Sequence, residues 1–469
     1  MGLADWINDV FRSITHFTER CANASVLAHI SAAILCVLLS ASFCKEVLAQ
    51  SNPAPPNVSI PLSLRDAVQL ALKQNPQVAA SRLLSLESDR ERQISRSALL
   101  PQASLTATGL LGQFNVASEE RTSKRTTGGP YQMIQVGPAY SQSLLDLPLF
   151  RSYQISREGV REARAEENVT REDVVATVVI QYILVLRAVA IYDAAKSRVA
   201  LAERLYEQAA SLQKTGLGLK IDTTRAQVEL QNERQNLIDA ETLTHTSNYI
   251  LAELLDLPRD REPAVTDDLQ FFDLSVVEPT TAIDIALVHR PEMQVQAAKE
   301  RIMRLEHKAA SEERSPQIEF SGDWVYQGSR FNNGIPAYTY QIGFNFPLFT
   351  GGRIHAEIAR TNLEQKRIEQ DRQLLEARIV REVKSASDEL DAAHKNVEVA
   401  NLGLQLATDE VGQAERRFAA GVTTNVEVVT AQDALARASS NQIEALYRFN
   451  QSRVNLAQAM GEVQNTYAK

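Results

Sequence analysis

Residues 338–349 read Tyr-Thr-Tyr-Gln-Ile-Gly-Phe-Asn-Phe-Pro-Leu-Phe. In an extended chain, Tyr338, Tyr340, Ile342, Phe344, Phe346 and Leu348 face one way, and Thr339, Gln341, Gly343 and Asn345 face the other. Residues 316–327 repeat the pattern. Ile318, Phe320, Trp324 and Tyr326 share one face; Gln317, Glu319, Ser321, Asp323 and Gln327 share the opposite one. Nine of the 28 aromatic residues fall within 316–349, so apolar rings are concentrated in this hairpin. About ten residues per strand, apolar on one side and polar on the other, suit a barrel strand in lipid, although a sheet on a soluble core alternates identically. Phe320, Trp324, Tyr326, Tyr338, Tyr340, Phe344 and Phe346 are the expected lipid-facing set. A second pair, 103–115 and 132–149, is richer in Thr, Ser and Gln. Four strands cannot close a barrel, which needs about eight, so a barrel would be shared between copies of the chain.

Outward from this hairpin, the chain repeats itself. Asn75-Pro76 corresponds to Arg290-Pro291 and Pro101 to Pro316; Asp-Leu-Pro-Leu-Phe at 146–150 corresponds to Asn-Phe-Pro-Leu-Phe at 345–349. Gly216 then matches Gly421, and Ala226-Gln227 matches Ala431-Gln432. Matches at turns and breakers mark a true internal duplication. Each half reads as a leading helix (63–98, 280–314), two strands, a long helix (about 152–215, 353–419), a glycine turn and a return helix (222–257, 425–460). Leading and return helices stacked end to end match the long helix in length, on the order of 100 Å. Val174–Tyr192 is apolar enough to suggest a membrane span, but Thr177, Gln181 and Arg187 interrupt it, and it reads as a buried segment of the rod.

Composition agrees. Nineteen glycines and 16 prolines in 469 residues fall below typical usage of about 7% and about 5%, so turns are few and elements long. The net charge of −9 argues against a nucleic-acid-binding surface. All three cysteines, Cys21, Cys36 and Cys44, lie in the first 44 residues. The body therefore lacks a disulfide, a thiolate metal site and a cysteine nucleophile. Arg12 and Arg20, the apolar run from Ser25 to Phe43 and the small-residue site at Val47-Leu48-Ala49 indicate a signal peptide over 1–49. A Pro-rich linker (50–62), first repeat (63–258), linker or equatorial segment (259–279), second repeat (280–461) and tail (462–469) complete the expected organisation. The fold class is mainly α with a small β part: a long antiparallel coiled-coil barrel plus four strands per protomer in a shared transmembrane β-barrel.

On the duplicated plan, the Pro-Leu-Phe strand ends, Phe349-Thr-Gly-Gly-Arg353 and the paired turns at 216–222 and 421–427, residues 63–461 resemble the TolC-like outer-membrane factors. The resemblance implies a homotrimer in outer-membrane lipid with a tunnel into the periplasm. It also implies a periplasmic adaptor, an inner-membrane RND or ABC pump, no cofactor and no chemical step. Efflux is favoured over type I protein secretion. Glu427 and Asp222, each six residues after its turn glycine, and Phe418 become candidates for a periplasmic gate. A ring of Glu427 is expected to attract cations. Thr430 stands where some relatives carry a second acid. Gly216, Leu217, Gly421 and Val422 are the candidate adaptor contacts.

The rivals are an enzyme and a pore-less periplasmic adaptor or structural rod. Five dispersed body histidines (His245, His289, His307, His355, His394) form no ligand spacing, and no nucleophile elbow or phosphate loop occurs. The four body methionines are too scattered for a copper relay. A rod would not need the aromatic strands.

Overall fold

The computed structural model describes residues 58–112, 131–216, 218–271, 278–330, 332–420, 422–423 and 425–468. The expected signal peptide with its cysteines, most of the Pro-rich linker, the polar loop with Gly128-Gly129, Leu217 and Gly421 lie outside the described residues.

The elements run β1 (Val58–Leu62), α1 (Leu64–Gln74), α2 (Pro76–Ser97), β2 (Gln102–Gly112), β3 (Tyr131–Leu145), α3 (Leu147–Lys214) and α4 (Lys220–Leu254). They continue with β4 (Arg261–Val265), α5 (Pro279–His289), α6 (Pro291–Glu312), β5 (Gln317–Gly328), β6 (Ile335–Asn345), α7 (Arg353–Ala419), α8 (Asn425–Met460) and α9 (Val463–Tyr467). The two long helices hold 68 and 67 residues, about 100 Å each at 1.5 Å per residue. α1 (11 residues), α2 (22) and α4 (35) together equal the 68 of α3. In the second half α5 (11), α6 (22) and α8 (36) come within two residues of the 67 of α7, so each half pairs one continuous rod with one broken rod of nearly equal length.

The leading helices break where proline forces it. Asn75 and Arg290, each before a proline, adopt nearly the same extended backbone (φ −58°, ψ 125° and φ −60°, ψ 126°), because the proline ring excludes its predecessor from helical geometry. Asn75 Oδ1 accepts from Gln77 N–H at 2.8 Å and caps α2, while Asn75 Nδ2 donates to the Leu254 carbonyl at 2.9 Å, tying α2 to the end of α4. The return helices also end alike. Asp256 (φ 49°) and Gly461 (φ 71°) both take the left-handed conformation, followed by long backbone bonds from Leu257 to Ala252 and from Glu462 to Ala457, the Schellman closure.

In the half nearer the sheet the helices lie in the order α2, α3, α6, α7; in the other half the order is α4, α3, α8, α7. The apolar Val174–Tyr192 stretch, long enough to cross a membrane, forms the centre of the main core with Leu62, Val68, Leu251 and Val463. Its polar interruptions are absorbed. Gln181 Nε2 donates to the Ser247 carbonyl at 2.9 Å, and Arg187 pairs with Glu444 at 2.9 Å while lying over the Tyr447 ring.

Three differences from the sequence reading stand out. First, β6 runs Ile335–Asn345 rather than 338–349, because Pro347 cannot donate to a ladder. Phe346 therefore lies past the strand. Second, α3 starts at Leu147, not Ser152: Asp146 Oδ1 accepts from Leu149 N–H at 2.8 Å, and Pro148 fits the first turn. The two Pro-Leu-Phe stretches are consequently not equivalent strand ends; the first is helical and the second is not. Third, the linkers carry structure. β1 and β4 pair in parallel, and residues 463–467 form α9, whose first N–H groups at Val463 and Gln464 donate to Glu172 Oε2 on α3.

Candidate functional site

The strands form one antiparallel sheet in the order β2-β3-β5-β6. The register places Trp324 opposite Tyr338, Phe320 opposite Ile342 and Ile318 opposite Phe344. One face therefore gathers Leu105, Tyr140, Phe320, Trp324, Tyr326, Tyr338, Tyr340 and Phe344. The Phe320 and Tyr340 rings stack nearly parallel, with centroids 6.3 Å apart, and Tyr140 meets Phe320 edge-on at 5.6 Å. This face is bare. Trp324 is 62% exposed, Tyr338 72% and Phe344 69%; Phe320 is half-buried among its neighbours, and Phe346 is exposed just beyond β6.

The opposite face is polar. Ser104, Ser141, Ser321, Asp323, Thr339 and Gln341 line a concavity of about 380 Å³. β3 reaches β5 closely here: a Cβ on Gly137 would lie 2.1 Å from the Trp324 carbonyl oxygen, so only glycine fits. Among the described residues, both outer strands, β2 and β6, lack a ladder partner on their far side.

At the opposite end, α3 turns into α4 and α7 into α8. Gly216 closes α3 in the left-handed conformation (φ 76°). Val422 N–H donates back to the Arg417 carbonyl at 3.0 Å, and its side chain is exposed. Leu205, Val411, Ala414, Val428 and Ala431 make a small tip core, against which Phe418 packs half-buried. The Glu427 carboxylate, at the third position of α8, receives the Thr423 hydroxyl and pairs with Arg417 at 3.2 Å. Asp222 lies 3.7 Å from Arg225. The expected gate acids are thus close to bases of their own tip. Sequence reading missed Arg417, because the ten-residue spacing to Glu427 does not fix how tightly the intervening turn closes.

A second network tethers the linkers. The buried Tyr182 hydroxyl lies 2.8 Å from both the Leu62 carbonyl and Asp267 Oδ2, and the same Oδ2 accepts from Leu64 N–H at 2.8 Å. Burial, with Asp267 beside it, pushes this hydroxyl well above its ordinary pKa. Among the described residues, no group of three or more His, Cys, Asp or Glu side chains could hold a metal ion.

A sequence model of outer membrane efflux proteins matches residues 67–256 and 282–462. The chain belongs to the outer membrane efflux protein family. The two matched stretches follow the two halves of the duplication. Outer membrane protein TolC of Vibrio cholerae serotype O1 is 24% identical over 411 residues, covering 85% of this chain and 90% of that protein. The outer membrane channel CmeC of Campylobacter jejuni superposes with a TM-score of 0.74 at 17% identity, over 85% of each chain. The open state of the Neisseria gonorrhoeae outer membrane channel MtrE gives 0.73 at 17% identity, over 87% of this chain and 90% of its own. The fold is therefore that of these outer-membrane channels, and the efflux family locates the protein in the outer membrane, extending into the periplasm.

Proposed function

We propose that three copies of this chain assemble head to tail into a pore and periplasmic tunnel that carries substrates out of the cell. The observation that carries this reading is a sheet with one aromatic face bare and two open edges. Unpaired N–H and C=O groups are not tolerated in hydrocarbon, so β2 of one copy must pair with β6 of the next until the sheet closes. Three copies give a twelve-stranded barrel, lipid outside and polar face inside.

The helices support the same arrangement. α2 and α4 lie on one flank and α7 on the other, and there the exposed large apolar side chains collect: Leu83, Ile94, Val228 and Ile238 against Leu363, Leu374, Val399 and Leu406. Among the described residues, α6 has no exposed large apolar side chain, and α3 and α8 have only Phe150 and Val426, in their first turns. Energy would come from an inner-membrane RND or ABC pump through a periplasmic adaptor. That adaptor would contact the turns at Gly216, Leu217, Gly421 and Val422, and Glu427, Asp222 and Phe418 would border the gate.

Purification from outer membranes in mild detergent tests the assembly. The expected particle has three times the chain mass and gives discrete conductance in planar bilayers. A soluble periplasmic monomer without conductance would support the rod reading instead.

A further inference from the structure

The eleven, fifteen, twelve and eleven residues of β2, β3, β5 and β6 include only two charged side chains, Glu319 and Asp323, both on β5. Both point to the polar face. The register surrounds Glu319 with Ser143 and Gly343, and Asp323 with Ala139 and Thr339, all neutral. They lie four residues apart, about 13 Å along a strand at 3.3 Å per residue. That distance rules out chelation by one pair and leaves two separate levels of fixed negative charge.

The tips differ. There Glu427 stands 3.2 Å from Arg417, and Asp222 stands 3.7 Å from Arg225. A base accompanies each acid, so rotation about a symmetry axis repeats a nearly neutral pair at the tip. In the sheet, the same rotation repeats a carboxylate that pairs with no base among the described residues.

We infer that Glu319 and Asp323, rather than the tip acids, set the pore's preference for cations and positively charged solutes. The inference rests on the channel reading, with the polar face of the sheet inside. Each carboxylate then becomes a ring, and the lipid around the barrel keeps its field focused on the aqueous lumen. The selected species are hydrated cations passing the rings, not ions held at a site.

Reversal potential under a KCl gradient, measured on reconstituted full-length protein, tests this. Wild type should prefer potassium. Glu319→Gln with Asp323→Asn should remove more than half of the reversal potential while single-channel openings persist. Glu319→Lys with Asp323→Lys should reverse its sign. Glu427→Ala should move it less than the Gln/Asn pair does. Openings with a wild-type potential in the Gln/Asn variant, or a larger shift from Glu427→Ala, would overturn the inference. Wild-type oligomers that give no conductance would instead overturn the channel reading and this inference with it.

Discussion

Arg290 shows how much one side chain can hold. Its guanidinium, 9% exposed, pairs with Glu292 at 2.7 Å and Glu382 at 2.6 Å, where α5 breaks into α6. Burial opposes its charge, and the two carboxylates more than offset that. Arg290→Ala takes a base from both Glu292 and Glu382, leaving Glu382 with Arg378, and should cost about 1–3 kcal/mol, read from the denaturation midpoint. Glu382 supplies the matching pH dependence. Burial alone would raise its pKa; the hydrogen bonds from Arg290 and Arg378 outweigh that and hold it below the ordinary 4.5. The carboxylate's contribution is therefore fully present above the unfolded value and fades as pH falls through the folded one. The stability gap between wild type and Glu382→Gln should close in acid; a gap independent of pH would contradict this assignment. At this scale the sequence was only partly legible. Glu427 could be singled out by its place after Gly421, but Arg417 could not be assigned to it, because the pairing depends on how tightly the turn closes.

Helix ends were legible because proline and glycine act locally. Asn75-Pro76 and Arg290-Pro291, matched to each other in the duplication, mark both breaks. Asn75→Ala removes the α2 cap and the tie to Leu254, and should lower stability by about 1 kcal/mol or slightly more. Gly461→Ala should cost at least about 1–2 kcal/mol, since a Cβ there meets Arg290 Cα at 2.9 Å. Thermal unfolding of the two variants checks both values. β1 and β4 were not legible. Each is five residues long, they pair across some 200 residues of chain, and parallel partners leave no hairpin signal between them. α9 was missed for a related reason: five residues show no helical period, and it is held by Glu172, far away in sequence. The start of α3 was missed because Asp146-Leu-Pro reads equally as a strand end or a cap.

For the whole molecule, the fold class followed from the duplicated pattern and the alternating aromatics, while neighbours of the α2/α4 and α7 flanks could only be inferred from what a single copy leaves uncovered. Leu374 is 68% exposed and Val228 56%. Leu374→Glu or Val228→Glu places a charge in the proposed contact between copies, and should shift trimer toward monomer in native mass spectra while leaving monomer helicity unchanged. An unaltered trimer fraction would remove these flanks from the interface.

The matched rods impose a rule on length. α3 alone spans what α1, α2 and α4 span together, and the sheet and the tip terminate both. A deletion in α3 would leave its tip a turn short of the neighbouring strut. Deletions are tolerable only in matched sets, one in each continuous rod and one in each broken rod, so that every strut shortens together. The molecule behaves as a ruler: one length, from sheet to tip, is written four times in each chain.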